Sequence, residues 1–236
     1  YAREIASRLG TDHTEFYCAP QEALDVIPDL PYYFDEPFAD SSAIPTILVS
    51  RLARKQVTVA LSADGGDEIF AGYNRYDYIH RYSRKLKAIP EPLRKALAVG
   101  MRSLSSDRIP FMRTQPNFHS RYDKLLKLLL DPSAAELMKN LNQVFTETDV
   151  TQILQESTTR PKTRYDSREL KQAYYDDLSY MMAIDYQTYM LDDILTKVDR
   201  ATMSASLEGR EPFLDQHIIE WAARLPTEYK YHNRQK

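Results

Sequence analysis

Apolar residues recur at two different periods along this chain, and the balance between them shifts once. Ala2, Ile5, Ala6 and Leu9 form one helical stripe that Gly10 closes as a C-cap. His13 to Tyr17 reads as a short strand, and Pro20 to Leu30 as a helix with Leu24, Ile27 and Leu30 facing inward. Pro31 to Ser42 reads as a loop. Ile44 to Arg54 returns to a helical period through Ile47, Leu48, Leu52 and Ala53, and Val57 to Leu61 is an apolar run typical of a buried strand. Alternating strands and helices predict a parallel sheet. Such sheets place ligands at the carboxyl ends of their strands, and Ser62 stands at one.

From about Glu68 onward the strand signal fades. Arg121 to Asp131 carries an apolar, Leu-rich run, and Ala134 to Phe145 and Thr148 to Gln155 read as helices. Ser167 to Met190 carries one long helical pattern, with Tyr175, Leu178, Met182, Tyr186 and Tyr189 near one face, a stripe better suited to a core than to a cofactor. Pro90-Glu91-Pro92 and Ile109-Pro110 punctuate the pattern, and Ser103 to Ser106 and Ser157 to Arg164 read as polar loops. The expected division is an α/β part over 1–80 and a helical part over 81–236. The chain opens inside a helix, without an N-cap, and stops at Asn233-Arg234-Gln235-Lys236 without a finish, so a piece of a longer protein is expected.

Composition narrows the function classes. At 236 residues, with 43% hydrophobic and 28% charged residues, the chain can bury a core as a soluble protein. A net charge of −3 gives no electrostatic reason to expect nucleic acid or an anionic membrane as partner. No apolar run approaches the roughly 20 residues of a membrane helix. The single cysteine, Cys18, excludes an internal disulfide and favours the cytoplasm; it reads as a buried small apolar residue. The five histidines show no metal-ligand spacing, and the basic run Arg81, Arg84, Lys85 and Lys87 reads as a solvated helix face.

The chain has six glycines, and half of them fall between Gly65 and Gly72. They lie in Leu61-Ser62-Ala63-Asp64-Gly65-Gly66-Asp67-Glu68-Ile69-Phe70-Ala71-Gly72-Tyr73, where a strand feeds a helix. Glycines let a backbone turn tightly and approach a phosphate, and successive N–H groups there can cradle an anion. Asp64, Asp67 and Glu68 would repel phosphate directly, but they make sense if Mg²⁺ lies between carboxylate and phosphate. A plain strand-to-helix turn with Asp67 as N-cap is the bland alternative. A second cluster runs from Asp192-Asp193 through Lys197-Val198-Asp199-Arg200 to Ser206-Leu207-Glu208-Gly209-Arg210-Glu211-Pro212-Phe213-Leu214-Asp215. Its bland roles are an Asp193–Lys197 surface pair, helix caps at Asp192 and Asp215, and a following helix with Ile218, Ile219, Ala222 and Leu225 inward.

Together these blocks resemble the synthetase domain of glutamine-hydrolysing asparagine synthetases. Asp185, Tyr189 and the loop Phe34-Asp35-Glu36-Pro37-Phe38-Ala39-Asp40-Ser41-Ser42-Ala43-Ile44-Pro45 fit the same pattern, which is weakest from about Arg81 to Asp166. The resemblance implies an α/β fold of the adenine-nucleotide hydrolase type with a helical second half. It implies ATP and Mg²⁺ as cofactors, aspartate or a similar carboxylate as substrate, a β-aspartyl-AMP intermediate, and ammonia from a glutaminase domain outside this chain. A homodimer is one assembly it leaves open. Ser62, Ala63, Gly65, Gly66 and Asp67 would hold the nucleotide, with Asp67 on the metal. Asp64 would serve acyl-adenylate formation, and Glu68 would support the loop. Lys197, Asp199, Arg200, Glu208 and Arg210 would line or brace the aspartate and adenylate site.

The sequence departs from the family pattern in ways that matter. A Ser-Gly-Gly-x-Asp-Ser pyrophosphate loop is expected upstream of Tyr1 and a lysine-bearing segment beyond Lys236, so the chain alone is expected to be inactive. Ala63 stands where Gly is usual, and Gly209 where Ala is usual. Two alternatives stay open: a relative that amidates another carboxylate, and a non-catalytic nucleotide-binding homologue.

Overall fold

The computed structural model describes residues 2–103, 118–145, 147–154, 162–174 and 176–232. In chain order the elements are α1 (Ala2–Leu9), α2 (Pro20–Val26), a 3-10 turn (Ile27–Asp29), α3 (Leu30–Tyr33), α4 (Ala43–Ala53), β1 (Val59–Leu61) and α5 (Gly66–Phe70). There follow α6 (Asn74–Lys87), α7 (Glu91–Ser103), α8 (Phe118–Leu130), α9 (Ala134–Asn142), α10 (Glu147–Leu154), α11 (Arg168–Ala173) and α12 (Asp177–Gln187). A π-helical turn (Met190–Leu195) leads into α13 (Thr196–Ser204), β2 (Glu208–Arg210), α14 (Gln216–Arg224) and α15 (Thr227–Lys230). The fold is mixed α/β, mostly helical with a small parallel sheet.

The chain packs as two units. The first is Tyr1–Asp64 with Leu191–Asp215, and the second is Gly65–Met190 with Gln216–Lys236. These units do not follow the expected division at residue 80, because the chain leaves the first unit at the glycine turn and returns to it after α12.

In the first unit α4 packs against α13 and α2. Val26, Phe34, Ala43, Ile47, Leu48 and Ala201 form its core, and the Phe34 and Phe38 rings stack 4.6 Å apart. The α2 segment turns Val26 inward, while Leu24 and Ile27 are exposed; the 3-10 turn that Pro28 opens shifts the helical face. His13 to Tyr17 is not a strand. A strand needs a neighbour to share its ladder, and none among the described residues pairs with this segment. Cys18 is exposed rather than buried. β1 pairs in parallel with β2, matching Val59 to Glu208, Ala60 to Gly209 and Leu61 to Arg210. β1 is not the buried strand that its apolar run predicts: Val59 is 38% and Leu61 71% exposed. Burying a parallel strand takes layers on both faces, and a two-stranded sheet leaves them open.

In the second unit α12 packs on α5, α6 and α9, and α14 packs on α5. The core holds Tyr76, Ile79, Leu137, Met138, Tyr180, Met181, Met182 and Ile184. The pattern over Ser167 to Met190 is broken into two helices. The Ser167 side chain caps α11 by accepting from the Leu170 N–H, and Asp176 caps α12 by accepting from the Ser179 N–H at 2.8 Å. Short polar side chains compete for backbone donors, and an apolar period does not reveal that competition. Of the predicted stripe, Met182 is buried and Leu178, Tyr186 and Tyr189 are half-buried. Ile109-Pro110, Tyr175 and most of the Ser157 to Arg164 loop lie outside the described residues. Among the described residues no helix is long and apolar enough to cross a membrane.

Candidate functional site

The site begins where β1 ends. The Ser62 N–H donates to the Arg210 carbonyl at 2.9 Å, extending the pairing one residue past the strand. The Ser62 hydroxyl donates to Asp64 Oδ2 at 2.7 Å, so the side chains of the turn hold each other. Gly65 then takes φ +86°, a left-handed conformation that strains any residue with a Cβ, and it stands as the N-cap of α5. The expected cap, Asp67, lies inside the first turn of α5 instead. Ala63 and Asp67 are exposed, and Ser62 and Gly66 are half-buried.

Two contacts in the second unit fix Asp67 and Glu68. Gly72 lies against the Asp67 side chain so closely that a Cβ there would fall 1.7 Å from Oδ1, and the Gly72 N–H donates to the Asp67 carbonyl. Glu68 is 2% exposed, and its Oε1 accepts from the Tyr73 hydroxyl at 2.6 Å. Burial, reinforced by this carboxylate, pushes the Tyr73 hydroxyl far above the usual tyrosine range. Behind it, the Arg75 guanidinium lies 4.1 Å from the Tyr73 ring centre and 4.5 Å from that of Tyr189. Arg75 donates twice to Asp185 Oδ2, at 3.0 and 2.6 Å, and the Tyr76 hydroxyl donates to the same oxygen at 2.7 Å. Asp185 is fully buried, and its Oδ1 has no hydrogen-bond partner among the described residues. Burial raises its carboxyl above the usual range even though Arg75 and Tyr76 oppose the shift.

The C-terminal block divides between two roles within the first unit. Lys197, buried on α13, donates to Asp40 Oδ2 at 2.8 Å. Burial works against the Asp40 charge, but hydrogen bonds from Lys197 and Ser42 outweigh it and hold the carboxyl below its usual range. Lys197 thus ties α13 to the Phe34–Pro45 loop, a brace in place of the expected surface pair with Asp193. Arg200 donates to Asp35 on the same loop at 2.7 Å, at an exposed position. Glu208 is exposed and accepts from Arg210 Nε at 2.8 Å, two residues along the same strand.

Asp199 and Asp64 share a neighbour that sequence reasoning gave no role, Glu211. Burial pushes the Glu211 carboxyl up, and the charges of Asp64 and then Asp199 push it further. Its only sequence signal is its place inside the Glu208–Asp215 block. The first unit therefore gathers Ser62, Asp64, Asp199 and Glu211, while Lys197 and Arg200 turn to the Asp35 and Asp40 loop. Among the described residues no group of three or more His, Cys, Asp or Glu could hold a metal ion by itself.

Parallel sheets place ligands beyond the carboxyl ends of their strands, and likeness to known proteins gives the class. The chain belongs to the asparagine synthase family, whose model matches residues 1–236. It is similar to "Asparagine synthetase [glutamine-hydrolyzing] 1" of Bacillus subtilis, at 35% identity over 98% of this chain and 35% of that protein. It is similar to "Asparagine synthetase B [glutamine-hydrolyzing]" of Escherichia coli, at 34% identity over 42% of this chain and 18% of that protein. A plant protein, "Asparagine synthetase [glutamine-hydrolyzing]" of Asparagus officinalis, is 31% identical over 47% of this chain and 21% of its own length. The chain spans about a third of the length of the Bacillus relative. No solved structure matches it.

Proposed function

We propose that this chain is the carboxylate-activating part of an enzyme that makes asparagine from aspartate, ATP and glutamine-derived ammonia. The observation that carries the reading is the turn after β1, where Ser62 holds Asp64 and the charges of Asp64 and Asp199 act on Glu211. A nucleotide-hydrolase-like arrangement of the sheet goes with it.

The residues suit Mg²⁺. Asp67 offers an exposed hard oxygen donor, and Gly72 leaves the space in which that carboxylate sits. One or two carboxylates plus substrate phosphates is the usual way this ion is held. When bound, Mg²⁺ would neutralise charge on the departing pyrophosphate. Ser62, Ala63, Gly65 and Gly66 would hold the nucleotide through backbone and hydroxyl.

In this reading the aspartate β-carboxylate oxygen attacks the α-phosphorus of ATP, the α–β bond breaks and pyrophosphate leaves. Ammonia then attacks the acyl carbon, AMP leaves, and a proton is lost from nitrogen to give the amide. Asp64, held by the Ser62 hydroxyl, lies where acyl-adenylate forms. Glu211, whose proton is held more tightly by burial and then by its acidic neighbours, is a group able to carry the proton that ammonia loses. Lys197 and Arg200 act at a distance by fixing the Asp35–Asp40 loop. ATP–pyrophosphate exchange by the full-length parent, with and without aspartate, tests this. Exchange that requires aspartate is expected. Exchange only with another carboxylate would reassign the substrate, and none with any acid would remove the enzyme reading.

A further inference from the structure

A cavity of about 290 Å³ lies wholly within the second unit, lined by residues of α5, α12, α14 and α15. Ile69, Met182, Ala183, Ile219 and Ala223 give it apolar walls. Glu68 and Lys230 line it as well, and they are only 2% and 7% exposed. Lys230 forms no hydrogen bond or ion pair among the described residues. Burial pushes its ammonium below the usual lysine range, and the Asp176 charge only partly opposes this. Glu68 commits Oε1 to Tyr73, and its second oxygen has no hydrogen-bond partner among the described residues.

A lysine buried along most of its length, whose ammonium forms neither hydrogen bond nor ion pair among the described residues, is a cost that a packing role does not explain, since Met would fill the same space more favourably. The cost disappears when an anion enters. A cation on one wall, an acid on another and apolar surface between them match a molecule that carries both charges on a small apolar body. The volume falls at the lower end of small-molecule sites and has room for one amino acid.

We infer that this cavity binds a free α-amino acid with an uncharged side chain, its carboxylate on Lys230, its ammonium on the open oxygen of Glu68, and its side chain among Ile69, Met182 and Ile219. The site is distinct from the one proposed for aspartate, whose second carboxylate would be forced against apolar walls here. It does not rest on the proposed reaction.

Calorimetric titration of the full-length protein, without ATP, decides the matter. The probes are L-valine, L-leucine and L-methionine, with 4-methylpentanoate and 3-methylbutylamine as the two halves of leucine. At least one amino acid is expected to saturate a site, and leucine to bind at least about tenfold tighter than either half. Lys230→Met is expected to weaken that binding at least about tenfold while raising the apo melting temperature. Ala183→Phe, which fills the cavity and keeps the lysine, is expected to abolish it. Absence of saturable binding by all three amino acids overturns the inference. So does unchanged binding in both variants, or binding of 4-methylpentanoate as tight as that of leucine.

Discussion

Gly72 provides a test that separates a metal-binding role for Asp67 from a structural one. Its φ lies outside the left-handed region, so alanine is allowed there by backbone conformation. What alanine lacks is room: the added Cβ would lie 1.7 Å from Asp67 Oδ1 and 2.7 Å from Cγ, with the Asp67 Cα at 3.0 Å. Nonbonded carbons prefer about 3.5–4.0 Å, so the carboxylate must swing away. Moving one short side chain off its rotamer costs about 0.5–1.5 kcal/mol. At about 1 kcal/mol, Gly72→Ala should lower the melting temperature of the full-length parent by about 2–4 °C. The Mg²⁺ concentration for half-maximal ATP–pyrophosphate exchange should rise about tenfold or more, as it should in Asp67→Asn. A near-native melting temperature with an unchanged Mg²⁺ requirement would refute the assignment of Asp67. A loss of more than about 10 °C would instead show that the backbone, and not the carboxylate, absorbs the clash.

Two further predictions concern buried charges. Asp40→Asn strands the Lys197 ammonium and should cost about 2–4 kcal/mol in denaturant unfolding, near the lower part of the range for broken buried pairs because Asp40 is partly exposed. Asp40 titrates lower when folded than unfolded, so its contribution is whole above the unfolded pKa, declines as pH falls below it, and vanishes below the folded pKa. The gap between wild type and Asp40→Asn should therefore narrow in acid; a constant gap would contradict the pairing. Arg75→Met leaves Asp185 buried and unpaired and should cost about 3–5 kcal/mol. Adding Asp185→Asn should recover a large part of that loss, and simple additivity of the two variants would show that they are not coupled.

How much of this was legible depended on how local each cause was. α4 and the glycine turn could be read directly because a helical stripe and a glycine cluster act over a few residues. β2 could not: Glu208-Gly209-Arg210 has no strand propensity and is extended because β1 accepts and donates its backbone bonds. The break before α12 was hidden because Asp176 caps a helix inside an unbroken apolar period. For the candidate site, the residues that resemblance implied could be named as a block, but their pairings were not visible. Lys197 meets Asp40, and Arg75 meets Asp185, across more than a hundred residues of sequence. Glu211 gains its environment only when β2 lies beside β1.

The β1–β2 ladder also constrains the order in which the molecule can be made. Its two strands lie on either side of the Gly65–Met190 segment of the second unit in sequence. During synthesis β1 leaves the ribosome long before its partner exists, and its exposed Val59 and Leu61 must wait unpaired. Part of the second unit, α7 on α8, α8 on α9 and α11 on α12, is built from helices adjacent in sequence, and such contacts form quickly. If it folds first, the span closing the ladder is no longer a loose coil, and its entropy of closure falls. The Ser62–Asp64 platform is therefore completed late, when Arg210 arrives to receive the Ser62 N–H.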